Sequence, residues 1–224
     1  KLGLENAGKF AKADDDSKKF LSWILKDTAV MDLYLEGATP VSIGRRDDNS
    51  WGLSTGSLEI WKKIYLADPD SRQGIYLRLA MATALRPPGT GNRGAGMQAS
   101  PSDPLVRYTH FKTAHKNNEL FPSFDGLTVW DYEHVVSSCA SEEDLAWARE
   151  MINTWRPDLR IKEQVVVSTS EVWRRNSPWG FTNGFKSVQE GGGKCGPRSS
   201  WGVFIGQAFG IPSIGVGQPA HACI

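Results

Sequence analysis

The chain has 224 residues, enough for one large domain or two small ones with an ample core. Lys and Arg number 26 against 25 Asp and Glu, and no basic run stands out, which argues against nucleic acid or an anionic membrane as the main partner. The longest apolar stretches, such as Ile75 to Leu85, are too short and too interrupted to span a bilayer.

From the first residues onward the pattern predicts helix. Asp14-Asp15-Asp16 places acid at a helix start, and Phe20, Trp23, Ile24, Met31 and Tyr34 follow at roughly helical spacing, up to Gly37 and Pro40. Ser57 to Tyr65 reads as a second helix. Asp68-Pro69-Asp70-Ser71 caps a third through Ile75, Leu79, Met81 and Leu85. Arg86 to Pro104, rich in Pro, Gly, Ser and Asn, is a loop or boundary, so residues 1–100 read as a helical N-terminal region and 101–224 as a second unit. Leu105 to His115 has a helical pattern, and Leu127-Thr128-Val129-Trp130 reads as a strand or a helix. Ser141-Glu142-Glu143-Asp144 starts a helix that stops before Pro157. Val165-Val166-Val167 suggests a strand. Ser177 to Gly193 looks like loop, with Asn183-Gly184 as a turn signal.

The last 34 residues, Gly191 to Ile224, hold two of the three cysteines and one of the four histidines. Pro197 suits a first helical turn, and Trp201, Phe204, Ile205, Ala208 and Phe209 then share a face until Gly210 and Pro212 end the helix. Cys195 therefore sits at a helix N-terminus, where unpaired N–H groups and the positive end of the dipole favour a thiolate and an oxyanion alike. The glycines around it leave room for a substrate backbone. His221 follows on a return strand, as the proton acceptor that a nucleophilic cysteine needs. Gln189, six residues before Cys195, offers a side-chain amide to the oxyanion.

Gly193-Lys194-Cys195-Gly196, the helix through Trp201, Gln207-Ala208-Phe209-Gly210-Ile211-Pro212 and the strand reaching His221 resemble the transglutaminase-like superfamily. The resemblance covers about the last 35 of 224 residues. It implies a papain-like fold and a Cys-His-Asp triad, with Cys195 and His221 in the first two roles. Activities in such proteins include transamidation, peptide or amide hydrolysis and deglycosylation, and some members are non-catalytic scaffolds. The acidic partner that the resemblance implies lies on a strand after the histidine, and the sequence stops at Ile224. Asp131, Glu133 and Glu190 are stand-ins among which nothing in the sequence chooses. Either the native protein continues past Ile224, or the site is degenerate and serves binding.

The expectation is thus an α+β protein with a helix-rich N-terminal portion and a C-terminal transglutaminase-like, papain-like core. Cys195, His221 and Gln189 would act on a protein or peptide amide; the alternative is an inactive structural module with a protein or carbohydrate partner. No cofactor and no metal are implied. The nine tryptophans read first as core and second as a stacking surface. Asp131-Tyr132-Glu133-His134 reads as structural, and Gly89 to Gly94 lacks the strand and helix of a dinucleotide site. Cys223 either pairs with Cys139, which would favour a secreted or extracytoplasmic location, or is a buried apolar residue.

Overall fold

The computed structural model describes residues 3–37, 55–91, 102–172, 174, 184–219 and 221–223. Within them the α+β expectation, with its papain-like core, is overturned. The described residues form eleven α-helices, and their sole sheet is an antiparallel pair, β1 (Val216–Gln218) with β2 (His221–Cys223). Two local devices account for the difference. Thr128 and Asp131 form a reciprocal capping box, so Leu127 to Trp130 leads into α7 (Val129–Val136) and not a strand. In Val165–Ser170, Ser168 Oγ donates to Val165 O and Ser170 Oγ to Val167 O, which closes the three valines into a 3-10 turn.

At the N-terminal end, α1 (Leu4–Ala13) leads to α2 (Asp15–Lys26), whose N-cap Asp14 accepts from Ser17 N at 2.6 Å. The single helix expected through Tyr34 is two, because Asp27 Oδ1 accepts from Ala29 N and Val30 N and restarts the chain as α3 (Thr28–Gly37). α4 (Thr55–Ala67) and α5 (Gly74–Leu85) follow as the pattern predicts. Asp68 to Ser71 caps a short 3-10 turn that precedes α5. Arg45 to Asp48, Asn183 and most of the Arg86–Pro104 loop lie outside the described residues. Of that loop, Gly89 N and Gly91 N donate to Ser138 O and Ser137 O, at 3.0 and 2.8 Å.

The remainder is α6 (Pro104–Lys116), α7, α8 (Glu142–Trp155), α9 (Pro157–Ile161), α10 (Phe185–Gly191) and α11 (Cys195–Ala208). One apolar core runs from Phe10 to Phe209, with Trp61 and Trp201 fully buried in it. Each such side chain contributes roughly 1.5–3 kcal/mol on burial. Arg107, also fully buried, knits the Val136–Ala140 segment: it donates to the carbonyls of Val136, Ser138 and Ala140 and pairs with Glu142 at 2.6 Å. No described helix is long and apolar enough to cross a membrane.

Candidate functional site

Cys195 is the first residue of α11 and is half-buried. The preceding Lys194 is extended and makes no side-chain cap, while Arg198 N donates to its carbonyl at 3.1 Å and closes the first turn. Pro197 has no N–H, so among the described residues the N–H groups of Cys195 and Gly196 are the donors left free at this end. One turn on, Ser199 Oγ donates to Ala222 O at 2.9 Å, which seats β2 on the start of α11. His221 opens β2, opposite Gln218 in the sheet, and its side chain is exposed. The structure brings these two elements together without a hydrogen bond between Cys195 and His221.

On the same helix, Arg198 Nη2 donates to Thr169 O at 3.1 Å. Arg198 Nε and Thr169 Oγ1 are both buried without partners, as is Trp201 Nε1 further along the helix. Gln189 is half-buried on α10 and forms no hydrogen bond with Cys195. Of the acidic stand-ins, Asp131 is spent on the Thr128 cap, Glu190 is exposed on α10, and Glu133 lies inside on α7. None is hydrogen-bonded to His221. The Cys139–Cys223 pairing turns on a Cys223 side chain outside the described residues. Among the described residues, no group of three or more His, Cys, Asp or Glu is placed to hold a metal ion.

The far end of α11 is fixed by features that the helix pattern only partly announces. Gly210 takes φ 79, Gly210 N donates to Gln207 O and Ile211 N to Gly206 O, which is the glycine-closed helix end expected from Gly-Ile-Pro. A Cβ on Gly210 would meet Phe124 Cδ2 at 2.6 Å, so the turn needs glycine for space as well as for φ. Gln207 Nε2 donates to His134 O and Ser213 O and ties α11 to α7 and to the returning chain. Arg149, buried on α8, donates to Ala208 O at 2.9 Å and places a cation at the negative end of α11. Its other partners are Glu119 and His110 Nε2. Burial, with Arg149 beside it, pushes the His110 imidazole down to about 4, so the ring is the neutral acceptor. Nothing in the linear pattern marks Arg149, because its partners come from three distant segments.

A second polar cluster sits on α7. Arg86 Nη1 donates to His134 Nε2 at 3.0 Å, and His134 Nδ1 therefore donates to Trp130 O at 2.8 Å. Beside them Glu133 Oε1 is buried without a partner. Burial pushes this carboxyl up to about 8, against the pull of Arg86.

No family model, no curated protein and no solved structure matches this chain.

Proposed function

We propose that Cys195 and His221 carry out cysteine-dependent acyl transfer or amide hydrolysis on a protein or peptide amide. The reading rests on the transglutaminase-like pattern of the terminal segment and on one structural observation. The Ser199–Ala222 hydrogen bond holds the strand that begins with His221 against the helix that begins with Cys195.

In this reading Cys195 Sγ attacks the amide carbon while His221 takes the thiol proton. The N–H groups of Cys195 and Gly196 hold the oxyanion. The C–N bond then breaks, His221 returns its proton to the leaving amine, and a thioester remains on Cys195. Water or a second amine takes the acyl group and restores the thiol. The imidazole swings onto the thiol as substrate excludes water; hydrogen bonds of this kind are often unformed in the free enzyme.

The test is a trapping experiment. The chain is treated with p-nitrophenyl acetate, quenched in acid and digested, and its acetyl groups are mapped by mass. Acetylation of Cys195 in a burst ahead of any lysine, lost in His221→Ala, is the expected result. Acetyl groups confined to lysines would overturn the reading in favour of a non-catalytic binding module.

A further inference from the structure

At the end of α11 remote from Cys195, roughly 20 Å along the helix, lies a cavity of about 560 Å³, within the usual range for small-molecule sites. Arg160 is set into it. Its guanidinium lies over the rings of Phe121 and Phe209, with Cζ 4.6 and 5.5 Å from their centroids. Its Nη2 donates to Leu120 O at 3.3 Å and Asn118 O at 3.5 Å. Among the described residues no carboxylate pairs with it; burial lowers its proton affinity, and only the field of Glu163 opposes that. A half-buried guanidinium so held, with Nε and Nη1 uncommitted, is organised for a planar anion.

The rest of the lining has the opposite sign. Glu163 and Asp125 both face the cavity, and Asp125 is already engaged by His115 Nε2 at 2.7 Å. The turns that end α6 and α9 border the cavity, each closed by a residue with positive φ, Asn118 at 58° and Glu163 at 55°. The remaining wall is apolar and includes Ile161, which is 82 % exposed.

We infer that this cavity binds a zwitterionic apolar α-amino acid, with its carboxylate on Arg160, its ammonium towards Glu163 and its side chain over Ile161 and Pro122. A simple carboxylate would leave Glu163 facing it. A simple amine would leave Arg160 half-buried without an anion. A ligand with both charges and an apolar body answers all three parts of the lining.

Isothermal titration of the full chain with L-leucine, L-leucinamide and N-acetyl-L-leucine tests this. L-Leucine binds, and each blocked form binds at least about tenfold more weakly, as expected for one lost charge-assisted contact. Arg160→Gln abolishes binding. Because Arg160 also supports the fold, the exposed Glu163→Gln and Ile161→Ser variants each weaken binding with the unfolding midpoint unchanged. Cys195→Ala binds as the parent does, so the outcome is independent of thiol chemistry. No heat with L-leucine at millimolar concentration, or equal binding of L-leucinamide, overturns the inference.

Discussion

Arg107 and Arg198 both place a guanidinium against a helix, yet their surroundings are built to different standards. Arg107 spends its donors on three carbonyls and the Glu142 carboxylate, within a segment whose backbone also receives Gly89 and Gly91. Arg198 has one carbonyl partner and a buried, unpartnered Nε, with Thr169 Oγ1 unpartnered beside it and Trp201 Nε1 beyond. Of the five buried side-chain polar atoms without partners among the described residues, three belong to α11 and the 3-10 turn packed on it. Buried polar atoms are ordinarily satisfied, and the exceptions concentrate where strain or function is kept. The contrast sets a satisfied junction around Arg107 against an α11 start whose Arg198 and Thr169 keep buried polar atoms unpaired.

Removing Arg107 tests the satisfied half of that contrast and carries the largest effect. Arg107→Met leaves Glu142 without its cation and takes a donor from the Val136, Ser138 and Ala140 carbonyls, of which Ser138 O keeps Gly89 N, and costs roughly 3–5 kcal/mol in urea unfolding. A loss below about 1 kcal/mol would mean that the satisfied region is no stiffer than the rest. Glu133 sharpens the comparison from the other side, since it is unsatisfied yet lies on α7. Its carboxyl is raised to about 8, so the folded chain holds this proton more tightly than the unfolded chain does. The stability it contributes is complete below the ordinary carboxyl value, about 4.3, and is lost as pH rises through about 8. Glu133→Gln removes that slope, and its gain over the parent grows with pH to several kcal/mol above about pH 8. Denaturant midpoints followed across pH check this; parallel profiles for the two proteins would contradict it. Ser199→Ala is the mildest change. It costs about 1 kcal/mol of stability, but loosens the strand that carries His221, so burst acetylation of Cys195 falls about tenfold. An unchanged burst would separate β2 from the chemistry.

Much of the helix order is legible in the sequence because its signals are local. Asp14 and Ser141 cap where acids and hydroxyls precede apolar periodicity, and Gly210 before Ile211-Pro212 closes α11. The strand expected at Val165–Val167 is misread because β-branched residues signal extended chain, while the serines after Val165 supply competing local hydrogen bonds; at Leu127–Trp130, open to strand or helix, the Thr128–Asp131 capping box selects helix. The two elements of the candidate site, a cysteine at a helix start and a histidine on a return strand, are legible; the Ser199–Ala222 bond that seats one on the other is not. The same holds for Arg107, Arg149 and Arg160. An arginine's burial depends on carbonyls that arrive from remote segments, and no spacing records that.

The central claim is that His221 activates Cys195, and alkylation measures it most directly. Native chain and His221→Ala are treated with iodoacetamide near neutral pH, and the modified cysteine is mapped over time. The account predicts that Cys195 reacts ahead of the buried Cys139 and at least about tenfold faster than in the His221→Ala variant. Equal rates at Cys195 in the two proteins would contradict it.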